Sequence, residues 1–165
     1  YQPDYVSNVL SSGRCSVNVW GAVSLAGLGP LVRLPPSFNS ASYCDLPDNT
    51  LIPYALDGPS QDGCFIFQHD CSPIHTANSV RALLEERAVH VLDWVPKGAN
   101  FNIIENVWGT LKSRLARMNL RTASADDLWM AVRGEWEHLS QRAGYVEALF
   151  ESLPGRMQEA VRLGG

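Results

Sequence analysis

Two carboxylates stand where chemistry could use them. Asp70 closes the run Cys64-Phe65-Ile66-Phe67-Gln68-His69, four apolar residues that lead into polar ones and then an acid. In open α/β sheets ligands gather beyond the carboxyl ends of strands, so an acid at such an end can project into a cleft. Asp is equally suited to the turn that would follow, ahead of a helix starting near Thr76. Glu105 lies three residues after Asn102. That is the spacing of a capping box, in which an N-cap side chain and an acid at N3 satisfy each other's backbone N–H groups. At about 100° per residue, Glu105 also falls on the margin of an apolar helix face. Gly109, one turn further on, leaves room beside it. For both acids, ligand and cap are open readings.

Other residues invite a site. Cys64, His69, Cys71 and His75 are zinc-type ligands. Alternation along a strand would turn Cys64 and His69 to opposite faces, however, and the spacing fits no common zinc framework. Cys64 is expected to be a buried structural cysteine. His75 and Thr76 read as the N-cap region of the next helix. Lys112, Arg114, Arg117 and Arg121 give the longest helix a basic tail. That tail suits either the helix dipole or a phosphate, and Lys97, Lys112 and Arg114 are candidate phosphate contacts.

The elements that must position these residues follow from periodicity. Residues 1–15 are polar and loop-like. Strands are expected at about 16–25 and 29–34, joined as a hairpin by the Gly27-Leu28-Gly29-Pro30 turn, then at about 64–69 and 89–93. Helices are expected at about 39–56, weakened by Pro47 and Pro53, and at 76–88, 102–118, 124–141 and 144–162. The helix at 102–118 carries a stripe of Ile104, Val107, Trp108, Leu111, Leu115 and Met118. The five tryptophans read as core. Strand–helix–strand alternation followed by long helices predicts an α/β fold, a mixed sheet with helices on its faces.

Bulk properties bound the rest. The 165 residues are 45% hydrophobic and 18% charged, with a net charge of −4. This is a globular composition with enough chain for one domain. The negative balance counts against a free-standing nucleic-acid binder, though not against a catalytic module brought to DNA by another domain. No apolar run approaches the roughly 20 residues of a membrane span. Four cysteines without paired spacing, and no basic-then-apolar leader, predict a reduced, intracellular setting with no membrane partner.

Two blocks together resemble the catalytic domain of the Tc/mariner transposases, members of the DDE, ribonuclease-H-like group. FQHDCSPIHT (67–76) is similar to the block in which the second catalytic Asp is followed by Pro and then His-Thr. VLDWVPKGANFNIIENVWGTLKSRL (91–115) is similar to the block whose Glu is the third catalytic acid. The 34 residues at positions 71–104 give the separation typical of one large branch of that superfamily. SVNVWG (16–21), GPL (29–31) and SLPGRM (152–157) also fit, so the resemblance covers nearly the whole chain. It implies a ribonuclease-H-like sheet with Asp70 and Glu105 as catalytic metal ligands, while His75 and Asn102 shape the site. It further implies a two-ion Mg2+ or Mn2+ centre, cut-and-paste transposition on DNA transposon ends and target, a homodimer, and a nuclear location in a eukaryote.

The departures are specific. The family's first catalytic Asp lies on a first strand well upstream of the VWG block. Here only Asp4 precedes that block, in what resembles a loop, so this ligand is expected to be absent. Ile103 stands for a Pro, Cys71 for a frequent Asn, Ile74 for a commonly basic residue and Asn100 for a frequent Asp. In the resembled fold the first strand is central, between the hairpin and the Asp70 strand. Without it both neighbours expose unpaired backbone. The isolated chain is therefore expected to be marginally folded or self-associating, and inactive. A decayed or repurposed interaction module is the alternative.

Overall fold

The computed structural model describes residues 8–11, 15–93, 101–120 and 123–162. Three antiparallel strands open the fold: β1 (Asn8–Ser11), β2 (Ser16–Ser24) and β3 (Gly27–Leu34). β1 pairs Asn8 with Val19 and Ser11 with Ser16. β3 pairs along the opposite edge of β2, from Asn18↔Leu34 to Ser24↔Gly27, with a bulge between Gly21 and Val23. The residues before Ser16 are thus not all loop. Asn-Val-Leu-Ser is too short and too polar for periodicity to mark as a strand, and the β2 edge recruits it.

Helix α1 (Ser40–Leu46) follows, with Asn39 as N-cap accepting from Ser42 N–H at 3.0 Å. It runs through a π-helical turn, Pro47–Leu51, into α2 (Ile52–Asp57). Both prolines sit in first-turn positions, where a missing N–H costs little, and so the helical path survives them. The short strands β4 (Ile66–Phe67) and β5 (His90–Val91) flank α3 (Asn78–Glu86) and pair in parallel. Helices α4 (Ile103–Leu115), α5 (Ala125–Ser140), α6 (Tyr145–Glu151) and α7 (Leu153–Arg162) complete the described chain. The single helix expected at 144–162 is two, divided at Ser152. α3 begins later than expected, after Ala77, which caps it without a side-chain bond. α4 stops at Leu115, leaving Met118 exposed beyond it.

The three-stranded sheet separates two cores. Alternation along β2 sends Val17 and Val19 into the core shared with Val107, Trp108 and Leu111 of α4 and Leu128, Val132 and Trp136 of α5. Trp20 and Leu34 face the other core, with Tyr43, Leu51, Val80 and Leu84. Gly21 permits the close approach of β2 to the helices. A Cβ there would stand 2.8 Å from Trp136 Cη2 and 2.9 Å from Trp108 Cη2. The two indoles pack at 5.3 Å between centroids, and Trp136 Nε1–H donates to Gly29 O at 3.0 Å, tying α5 to β3.

Two expectations for the Asp70 strand are corrected. It spans Ile66–Phe67 rather than 64–69. Cys64 lies before it and is exposed, not buried, its N–H donating to Asp62 Oδ1 at 3.0 Å. That local turn, set by the Asp-Gly pair at 62–63, holds Cys64 outside the ladder. Ile66 is 62% exposed, because among the described residues β4 pairs only with β5. No strand joins β2 to β4 among the described residues, and the two belong to separate sheets.

Candidate active site

Asp70 sits three residues past β4, where the chain turns toward α3. Its Oδ1 accepts from Ser72 N–H at 2.9 Å, so the turn role foreseen for it is real. His75 Nδ1 lies 3.1 Å from the same Oδ1, off the line of a well-formed hydrogen bond. Burial alone would push the Asp70 carboxyl up. The His75 ring and the Ser72 N–H outweigh it, and the group is held below the usual carboxylate range.

A column of rings supports this acid. His75 is 2% exposed and stacks on His69 at 4.7 Å with 10° between planes. It also packs on Tyr43 at 4.3 Å. Tyr43 comes from α1, and its hydroxyl is 3.3 Å from His69 Nδ1. Burial, reinforced by the Asp70 charge, drives the Tyr43 hydroxyl well above its ordinary range, so it stays protonated and can donate to His69. Burial first, and the neighbouring His75 second, lower His69 to about 4, leaving it neutral at pH 7. His75 is not part of a helix cap. Thr76, its neighbour, donates from Oγ1 to Ser72 O at 3.0 Å, one turn ahead of α3.

Glu105 is exposed in the first turn of α4. Asn102 is the N-cap, buried and extended, but its side chain makes no cap hydrogen bond, so the reciprocal capping box is not formed. The two blocks meet in space through their neighbours. Gln68 and His69, just before Asp70, line one groove with Asn102, Ile103 and Ile104, just before Glu105. Asp70 itself opens on a second cleft of about 570 Å3, shared with His75, Arg81, Glu85, His90 and Asp93.

The remaining sequence-derived candidates divide. Lys97 lies outside the described residues. Lys112 is exposed near the end of α4. Arg114 is engaged by Glu135 of α5, a partly buried ion pair that clamps the two helices. Sequence reasoning missed Tyr43 and Arg81. Tyr43 carries no local signal, since its role depends on α1 packing against α3. Arg81 could have been found, because it follows Val80, the buried anchor of α3, and so sits beside that helix's inward stripe.

As a donor set the site is hard. It offers the Asp70 carboxylate beside the His69 and His75 imidazoles, and the thiols of Cys64 and Cys71 are exposed and outside any disulfide. Oxygen donors of this kind suit Mg2+ or Mn2+ rather than a thiolate-bound ion. Among the described residues no group of three or more His, Cys, Asp or Glu side chains is placed to hold a metal. No helix among them is long and apolar enough to cross a membrane.

An antiparallel three-stranded sheet between two cores, a separate parallel strand pair, and an acid just beyond the carboxyl end of that pair fit a ribonuclease-H-like α/β domain. Solved structures share the fold. The Mos1 transposase catalytic domain with raltegravir and Mg superposes with a TM-score of 0.75 at 20% identity, covering 89% of this chain and 74% of that one. The Mos1 mariner paired end complex with Mn gives 0.76 at 18% identity, covering 98% and 51%. The chain belongs to the DDE superfamily endonucleases, whose family profile matches residues 4–128. It is 30% identical over all 165 residues to the transposable element Tc1 transposase of Caenorhabditis elegans and 29% identical to the Tcb1 transposase of Caenorhabditis briggsae. In each case it spans 58% of the relative's length.

Proposed function

We propose that this chain is the part of a cut-and-paste DNA transposase that carries two of its catalytic acids, Asp70 and Glu105, as ligands for Mg2+ or Mn2+. The observation that carries the proposal is the state of Asp70. It is held ionised at the end of β4, with Oδ1 fixed by the Ser72 turn and set beside the buried His75 ring. Asp70 would present Oδ2 to the ion, and Glu105 would supply a second carboxylate from the head of α4. When bound, two such ions supply Lewis-acid activation of an attacking hydroxyl and steady the leaving oxygen in phosphodiester cleavage and strand transfer. The chain's own residues prepare for this. Tyr43, His69 and His75 form the wall that fixes Asp70. Asn102 sets the start of α4, and Lys97 and Lys112 offer cations to DNA phosphates.

Family membership and the paired-end complexes of the structural neighbours support transposon ends and target DNA as partners, and a homodimer as the working state. A nuclear location follows from that role in a eukaryotic cell. Two carboxylates are one fewer than the family's three, so the isolated 165-residue chain is expected to bind the ion without cutting DNA. The net charge of −4 favours, as a second reading, a non-catalytic module that binds nucleic acid or protein.

The deciding experiment is Mn2+ binding, followed by the loss of free-ion EPR signal, for the wild type, Asp70→Asn and Glu105→Gln. Each substitution is expected to weaken binding at least tenfold. Equal binding by all three proteins removes the metal site and leaves the second reading.

A further inference from the structure

We infer that Arg156 is a positioning residue for Glu105, through which the α6–α7 pair sets the direction of the carboxylate at the head of α4. This role rests on Glu105 being a metal ligand, as proposed above. Glu105 is exposed in a helix turn that lacks its local fastening, because the Asn102 side chain makes no cap hydrogen bond. An uncapped helix end frays, and a ligand carried on it would be presented in many directions. Support for this end comes instead from α6 and α7. Arg156 of α7 donates from Nη1 to Asn106 Oδ1 at 2.8 Å and from Nη2 to Leu149 O at 3.3 Å. One guanidinium thus joins the residue after Glu105 to the last turn of α6.

Asn106 is held a second time, through its backbone. Its carbonyl accepts from Thr110 Oγ1 at 3.0 Å, and that hydroxyl accepts in turn from the Tyr145 hydroxyl of α6 at 3.1 Å. The residue on the other side of Glu105 is held by packing. Ile104 lies against the core that α4 shares with α5, as do Tyr145 and Leu149 of α6. It also lines a groove with Phe150 and Leu153, which flank the α6–α7 junction. Successive helical residues point about 100° apart, so fixing 104 and 106 fixes the direction of 105 between them. Among these ties the guanidinium is the directional one, because its planar fork gives charge-assisted hydrogen bonds to two acceptors at once. A lysine would keep the charge but not the fork. The other arginine pair of α7, Arg162 with Glu159, closes within the helix itself.

The test uses the full 165-residue chain. Without metal, Arg156→Ala should speed amide hydrogen exchange at 105–108 by about fivefold or more and leave 111–115 within about twofold of the wild type. Asn106→Ala, at an exposed position, should do the same. Mn2+ binding, read from the free-ion EPR signal on protein shown to be folded by its urea midpoint, should weaken about tenfold in both variants. The double substitution should weaken it no further than either single one, since both remove the Arg156–Asn106 bond. Arg156→Lys should fall between Arg156→Ala and the wild type, and Arg162→Ala should change neither reading. A merely structural arginine would speed exchange equally along all of α4 and leave the Mn2+ affinity of the folded protein unchanged. Either result overturns the positioning role, as does unchanged exchange at 105–108. If Glu105→Gln binds Mn2+ like the wild type, the metal reading falls by itself, and the exchange pattern alone decides whether Arg156 holds the turn.

Discussion

His75 Nδ1 stands 3.1 Å from Asp70 Oδ1, and the imidazole that carries it is sealed between Tyr43 and His69. A carboxylate beside a fully buried ring has little freedom to rotate. The Ser72 N–H takes up what remains on that oxygen, so the geometry left to Oδ2 is set by packing rather than by solvent. His75 was foreseen as shaping the site, and the arrangement supplies a concrete means. His75→Ala should open a cavity beneath Tyr43 and cost about 2–4 kcal/mol of stability. Urea denaturation at pH 7.5 checks this, and a loss below 0.5 kcal/mol, within the usual scatter of surface changes, would count against it.

The same column makes the metal-free chain sensitive to mild acid. His69 is lowered from 6.5 to about 4, so between those values the unfolded chain binds a proton that the folded chain refuses. Stability is therefore complete above pH 6.5 and falls as the pH drops toward 4, by roughly 2 kcal/mol after allowance for the ring's partial exposure. Asp70, depressed below its ordinary range, adds a further loss only at lower pH, as its own carboxyl protonates. Urea midpoints at pH 7.5, 6 and 5 should decline in that order. His69→Gln should flatten the decline, and a flat wild-type profile would sink the assignment of His69 as neutral.

Gly21 should be intolerant where Gly109 is not. A methyl at 21 meets two indole rings at 2.8 and 2.9 Å, and both belong to the core that joins the sheet to α4 and α5. Gly21→Ala should cost about 1–3 kcal/mol through overpacking. At Gly109 nothing lies within 4 Å, and the residue is exposed in mid-helix, so Gly109→Ala should stabilise by about 0.5–1 kcal/mol. The two denaturation midpoints should move in opposite directions. If Gly21→Ala matched the wild type, the close approach of β2 to the tryptophans would be wrong.

What could be seen in the sequence was whatever periodicity or chemistry wrote locally. The stripe of Val107, Trp108 and Leu111 marks α4 and is buried. The alternation of Val17, Val19 and Gly21 marks one face of β2 and packs on that stripe. Asp70 and Glu105 stand out in the sequence because their surroundings are patterned, and of the two local roles open to them the turn at Asp70 is formed while the cap at Glu105 is not. Tyr43 was not, since nothing near it in sequence shows that α1 will deliver a ring to His75. Cys64 misled because an apolar run looks buried until the turn at Asp62 and Gly63 is known to hold its first residue outside the ladder. β1 escaped because four residues carry too little pattern, and its pairing is decided by β2. Capping by Asn102 fitted the motif yet was not made, since a buried asparagine side chain answers to its tertiary surroundings.

Arg114 offers a choice between two roles that stability and DNA affinity can separate. As a candidate phosphate contact, it should matter to binding and little to folding. In the structure its guanidinium is engaged by Glu135, partly buried, between α4 and α5, the helices that carry most of one core. Truncating one partner of such a pair leaves the other charge half-buried and unmatched, so Arg114→Ala should cost about 1–3 kcal/mol. Glu135→Ala should cost a similar amount. The double substitution should cost less than the sum of the two, with a coupling of about 1 kcal/mol or more. Lys112, exposed on the same helix, provides the contrast. Lys112→Ala should leave the urea midpoint within about 0.5 kcal/mol of wild type and reduce DNA affinity with a shallower salt dependence. If Arg114→Ala instead kept full stability while DNA binding weakened, the clamp would be incidental and the arginine would belong to the nucleic-acid surface.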